Sequence, residues 1–207
     1  MNTTPEVSLV LAGRPVRDAE DSLRRYCGLR WSGGDPQVWA YAYYDAVATE
    51  PHRLEPADVT AASALHPGLT QSDLAWFVEH RAEVEEWLQA CPGDVALAEA
   101  TDAQLEHLEK LATFDGVSLA LLTKVLHRKR HHLIPLVDRR IIDWYRPITG
   151  ERNAESAWPR LLLALRADLQ ANRPVLDAMS TVITAEIPRP ISAVRIADIA
   201  LWMGGVS

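Results

Sequence analysis

At 207 residues and 23.0 kDa, the chain is one ordinary domain or two small lobes sharing a core. Its 48% apolar and 24% charged residues describe a folded globular protein and exclude a disordered or collagen-like chain. A net charge of -7 taken alone argues against a nucleic-acid partner, so the placement of the charges has to be read along the chain. No apolar run approaches the ~18 residues needed to span a bilayer. The N-terminus lacks the basic start, apolar stretch and cleavage site of a secretory leader, and Cys27 and Cys91 are too few for a disulfide scaffold. These features predict a soluble, cytoplasmic, monomeric protein with free thiols that meets no membrane.

Periodicity predicts an all-α fold of roughly eight to ten helices in one domain, residues 1–207. Val7–Ala12 reads as a lone strand. Val16–Cys27, Val38–Val47 and Pro56–Leu65 read as short helices. The second of these carries Trp39, Tyr43 and Tyr44, which could line a pocket or simply pack in the core. His66–Thr70 is a turn whose tip could wedge into a duplex or serve as an ordinary loop. Gln71–Ala90 reads as one helix with Leu74, Phe77, Val78, Val84, Trp87 and Leu88 inward, stopped by Pro92 and Gly93. Thr101 and Gln104 form a capping box opening a helix with Leu105, Leu108 and Leu111 inward.

The most informative stretch runs from Leu108 to Arg146. A helix ends at Phe114-Asp115-Gly116-Val117-Ser118, a tight turn, and Leu119–His127 follows at once. The turn would leave the first backbone N–H groups of the second helix as a phosphate seat, with Gly116 supplying the backbone freedom. Between Lys124 and Arg146 lie seven basic residues against Asp138 and Asp143, a net of +5, leaving -12 on the rest of the chain. Asp73–Glu109 alone carries ten acids and one base. This asymmetry suits a basic face for phosphates and an acidic back, with a solvated basic helix end as the plainer reading. Further on, Trp158–Ala171 and Val175–Ile187 are predicted helices separated near Pro174. Ser192–Met203 is a buried one, with Arg195 and Asp198 spaced for an i,i+3 contact.

Gly116-Val117-Ser118, the helix through Leu126, the run Leu133-Ile134-Pro135-Leu136-Val137 and then Asp138, 22 positions after Gly116, resemble the helix-hairpin-helix DNA glycosylase superfamily. The resemblance covers Leu108 to about Tyr145, within a hairpin and catalytic segment of about 102–146. It implies a compact two-lobed helical fold, a double-stranded DNA partner and Asp138 as the catalytic carboxylate. Gly116, Val117, Ser118, Lys124, His127, Arg128, Lys129, Arg130, Arg139 and Arg140 would then hold DNA, and Trp39, Tyr43 and Tyr44 the base. Asp138 is equally a good N-cap for the helix that follows, and the two roles are compatible.

Two departures shape the expectation. Ser118 stands where a second glycine is usual. Ala120 stands where strand-cutting members carry lysine, which implies a monofunctional enzyme leaving an abasic site. Cys27 and Cys91 both precede the catalytic region, so the pattern holds no iron–sulfur cluster, and no cofactor or metal is expected. His127, His131 and His132 have metal-compatible spacing without any supporting ligand motif.

The resemblance implies excision of a damaged or mismatched base. A narrower expectation is antiviral defence by attack on phage DNA whose cytosines are replaced by glucosylated hydroxymethylcytosine. The alternatives are a non-catalytic helix-hairpin-helix DNA-binding protein and a helical adaptor for an acidic partner.

Overall fold

The structure is a computed structural model that describes residues 8–29 and 40–204. Ten α-helices run through the described residues, accompanied by a two-stranded hairpin, Val10–Leu11 (β1) against Arg14–Pro15 (β2), where a single strand was expected. The helices are α1 (Ala19–Tyr26), α2 (Pro56–Ala62), α3 (Gln71–Glu79), α4 (Arg81–Ala90), α5 (Asp102–Glu109), α6 (Leu119–His127), α7 (Arg139–Thr149), α8 (Ala154–Ala171), α9 (Arg173–Thr184) and α10 (Ala193–Met203). The fold is all-α, and no described helix is long and apolar enough to cross a membrane.

Several helix starts follow from the caps written into the sequence. The Thr101 hydroxyl accepts from the Gln104 N–H while the Gln104 side chain accepts from the Thr101 N–H. Ser118, Asp138, Asn153 and Ser192 each cap the helix that follows them through the N–H three residues on. The expected helix Gln71–Ala90 is in fact two, broken at His80, whose ring stacks on Trp76 at 4.4 Å between centroids. The break turns Leu74 and Val78 out to solvent, contrary to the single-helix expectation that placed them inward. The expected helix Val38–Val47 is, in its described part, a π-helical turn over Tyr41–Asp45, and Trp39 lies outside the described residues.

α6 is the centre of the molecule. All of its residues except Ala120 are buried, and it packs on α2 and α8. α10, similarly enclosed, packs on α1, α7 and α9, while α7 lies against α8. The N-terminal hairpin is tied down by side chains of α7 and α8. Trp144 donates to the Leu11 carbonyl at 2.9 Å, and the Asp168 carboxylate accepts from the Ala12 N–H at 2.7 Å. These contacts fix α7 against its neighbours, and with it the position of Asp138 at its head.

Candidate functional site

The hairpin forms as expected, and its glycine is required twice over. Gly116 has φ of +83°, and a Cβ there would sit 3.1 Å from the Trp76 indole. Trp76 in turn donates to the Asp115 carbonyl at 2.7 Å, bracing the turn against α3. Gly116→Ala should therefore destabilise the protein by about 2 kcal/mol, from the left-handed backbone penalty and the indole contact. Denaturant melts of the purified variant check this, and a change under ~0.5 kcal/mol would mean that the turn relaxes freely.

The phosphate seat is a different matter. Ser118 Oγ accepts from the Leu121 N–H at 3.2 Å, and Glu155 Oε1 accepts from the Leu119 N–H at 3.3 Å. The donors predicted to wait for phosphate are thus partly satisfied within the fold. Serine in place of the second glycine brings its own acceptor to the helix start, and α8 supplies a carboxylate.

The basic run is also corrected. Lys124, His127, Arg128, Lys129 and Arg130 are all buried, so their side chains are not phosphate contacts, nor are they a solvated helix end. Lys124 Nζ donates to the carbonyls of Ala120 (3.2 Å) and Val137 (3.3 Å). Arg128 donates to Asp58 and to the carbonyls of Val47 and Ala48, and Lys129 donates to Asp58, Thr49 and Glu50. Arg130 satisfies the Leu88 and Cys91 carbonyls at the end of α4, and that of Pro51. These cations are internal wiring, consumed by carbonyls that end helices and loops around α6. Arg139 and Arg140, by contrast, are exposed beside Asp138. Arg139 pairs with Asp143 at 3.0 Å, while Arg140 donates to the Trp202 carbonyl.

His127 lies inside as a neutral imidazole. Its Nδ1 donates to the Ile134 carbonyl at 2.6 Å, and burial pushes its pKa down to about 3. A folded pKa below the unfolded value of about 6.5 means the unfolded chain binds the proton first. Stability should therefore be intact above about pH 6.5 and fall as the pH drops toward 3, with a loss of about 3 kcal/mol by pH 4 from this group. Urea melts at pH 7, 5 and 4 test this against His127→Phe, whose profile should be flatter. An imidazole titrating near 6.5 in the folded protein would refute it.

Asp138 itself is half-buried, its Oδ1 accepting from the Ile141 N–H at 3.0 Å. It opens onto a crevice shared with Lys124, Arg195 and Asp198 and closed by Leu65, Leu136 and Trp202. The crevice volume is about 20 Å³, the room of a single water. Lys124 is pulled below its ordinary pKa by burial, with Asp138 and Asp198 opposing the shift.

Arg195 ties this crevice to a larger cavity of about 160 Å³, lined among others by Tyr44, Asp45, His127, Arg189 and Ser192. Its Nε donates to Asp45 Oδ1 at 2.9 Å, its Nη2 to Asp45 Oδ2 at 3.2 Å and to the Tyr26 hydroxyl, and its Nη1 to Asp198. The predicted aromatic cluster divides. Tyr44 is buried, stacks with His127 at 6.2 Å and lines this cavity, whereas Tyr43 is exposed on a separate surface depression. Asp45, Arg195 and Asp198 went unassigned as site residues. The signal for Arg195 and Asp198 is an arginine and an aspartate set inside an otherwise apolar helix, where charges must be paired, whereas Asp45 carries no such signal.

Both thiols are held in the protonated form. Burial pushes Cys27 up to about 12 and Cys91 up to about 11. Among the described residues, no group of three or more His, Cys, Asp or Glu is arranged to hold a metal ion.

Fold and crevice together describe an all-α protein with one partly open, mixed-charge polar site at the head of α7. The chain belongs to DUF6308, a family of unknown function whose family model matches residues 19–205. No curated protein and no solved structure matches it significantly.

Proposed function

We propose that the protein is a monofunctional DNA glycosylase, which everts a nucleotide, hydrolyses the bond between base and deoxyribose and leaves an abasic site. The observation that carries this reading is Asp138, rigidly held as a helix cap and opening onto a water-sized polar crevice after the hairpin, helix and proline run. Breaking the glycosidic bond builds positive charge on the sugar, and a fixed carboxylate beside it stabilises that charge and orients the attacking water. The logic is that of glycoside hydrolysis with the base as leaving group.

Three further features support the reading. The cavity across Arg195 has the size of one six-membered ring, since a cavity of roughly 150 Å³ accepts benzene. This favours a pyrimidine, and the exposed His131 and His132 at its lining leave a side open for a substituent such as that of a modified cytosine. Leu65, on the crevice wall, directly precedes the turn His66–Thr70, and this nearness supports a wedge role for that turn. Arg139 and Arg140 are exposed in the first turn after Asp138, engaged with Asp143 and the Trp202 carbonyl but open to solvent, where they can meet phosphates. Both this reading and a purely DNA-binding role lose the basic run as phosphate contacts, and Asp138 at its polar crevice is what favours the enzymatic one.

The test is incubation of the purified protein with duplexes containing uracil, alkylated, oxidised, hydroxymethylated or glucosylated bases, followed by hot alkali. Alkali-labile sites in at least one duplex are expected, most strongly with a pyrimidine lesion. No labile site in any duplex would remove the enzymatic reading.

A further inference from the structure

We propose that the exposed face of α7, completed by Arg14 from the N-terminal hairpin, is the surface that tracks the phosphate backbone of double-stranded DNA. The proposal rests on the DNA partner of the excision reading above but on none of its chemistry. It adds Arg14 and Arg146 to Arg139 and Arg140, and so supplies phosphate contacts that the buried basic run cannot make.

An α-helix turns by about 100° per residue. Arg139, Asp143 and Arg146 therefore lie along one stripe of α7, and Arg140 and Trp144 along the stripe beside it. Ile141, Ile142 and Tyr145 occupy the opposite side and are buried. The outer face begins one residue after Asp138 and carries its arginines over about 10 Å of helix.

Arg14 reaches this face from the hairpin. Ala12 and Gly13 both adopt left-handed backbone, with φ of +53° and +70°, and form the two-residue turn between β1 and β2. An alanine in that conformation is strained and holds only where its surroundings fix it. Asp168 accepts from the Ala12 N–H at 2.7 Å, and Asn172 accepts from the Val10 N–H at 2.9 Å while donating to the Val10 carbonyl at 2.7 Å. So held, the hairpin carries the Arg14 guanidinium over the Trp144 indole, 3.9 Å from the ring centroid, where it also donates to the Trp144 carbonyl. Arg140 lies over Trp202 in the same manner, at 5.9 Å.

Unspent donors mark this surface more than net charge does. A guanidinium carries five N–H groups. The buried Arg130 makes five hydrogen bonds within the fold, whereas Arg14, Arg139 and Arg140 make one each. Arg146 approaches Asp143 only to 3.9 Å. The acids nearby are engaged. Asp143 lies between Arg139 and Arg146, and Asp168 accepts from the Ala12 N–H and the Tyr145 hydroxyl. After the hairpin, Arg17 and Asp18 offset one another, and Glu20 and Asp21 pair with Arg24 and Arg25.

Forks held over indoles lose little freedom on meeting a phosphate. One strand of a duplex presents a phosphate about every 3.4 Å along the axis, so the face of α7 spans about three. DNA fits this surface better than an acidic protein does, because the arginines run on from Asp138, where the strand of an everted nucleotide must pass.

The test is anisotropy of a labelled undamaged duplex titrated with the full chain between about 50 and 200 mM salt. Wild type should lose affinity with a log–log slope of about -3. Arg14→Gln and Arg146→Gln should each weaken binding and flatten the slope by about 1, and Arg14→Lys should restore it. Arg81→Gln, the same change of charge on α4, should leave affinity and slope as they are. The surface is overturned if wild type leaves the duplex unbound at the lowest salt, if both variants keep the wild-type slope, or if Arg81→Gln flattens it equally. Displacement of the duplex by polyglutamate as readily as by unlabelled DNA also overturns it and points to an acidic protein as partner. Flattened slopes without an alkali-labile site in any duplex keep the surface and remove excision, whereas labile sites with unchanged slopes remove the surface alone.

Discussion

Asp58→Ala is expected to lower the free energy of unfolding by about 4 kcal/mol, which would leave little of the stability of a marginal domain. Asp58 is 1% exposed and holds two buried cations, Arg128 at 3.1 Å and Lys129 more closely still. It also accepts from the Thr49 hydroxyl at 2.6 Å and from the Glu55 N–H at 2.8 Å, where α2 begins. Removing this carboxylate leaves two desolvated charges without a counter-ion, which costs far more than the pair contributes when intact. Replacing Asp58, Arg128 and Lys129 together by apolar residues of similar size should recover much of the loss, because no orphaned charge then remains. Guanidinium melts of the single and triple variants measure both effects. A loss below ~1 kcal/mol for Asp58→Ala would place the two cations in water rather than in the interior.

The second large effect is catalytic. Asp138→Asn should reduce base release by about 10³-fold, equivalent to about 4 kcal/mol of transition-state stabilisation. Asparagine caps a helix as well as aspartate does, so the Ile141 N–H keeps an acceptor and the fold should be unaffected. DNA affinity should change little, because the negative charge matters only when the sugar becomes cationic. Asp138→Ala loses the cap as well and should cost about 1 kcal/mol of stability. Comparing the two variants separates the role of the carboxylate as a cap from its role in the chemistry.

The helices and many of their starts were legible because caps and apolar spacing are local. Thr101 with Gln104 and Asp138 cap the helices they were expected to cap, while the caps formed by Ser118 and Ser192 emerge from the structure. The break at His80 was not legible, since it depends on an imidazole settling on Trp76, a contact no periodicity announces. The basic run was misread because a count of charges carries no depth. The helix before it, Leu119 to His127, is apolar on nearly all sides, and such a helix must lie inside and carry its tail with it. The cations then end among helix-terminal carbonyls and beside Asp58. Asp138 was found from its position after the hairpin, but its companions Asp45, Arg195 and Asp198 come from segments up to about 150 residues apart in the chain. The packing of α10 against α7 and the contact of Arg195 with Asp45 on the π-helical turn bring them together.

The most direct test of the account is quantification of free base by mass spectrometry after a single turnover, for wild type and Asp138→Asn, with DNA affinity followed in parallel by anisotropy. Wild type should release a pyrimidine and the variant almost none, with affinities within a few-fold of each other. Equal release from both proteins, or none from wild type across the full set of duplexes, would contradict it.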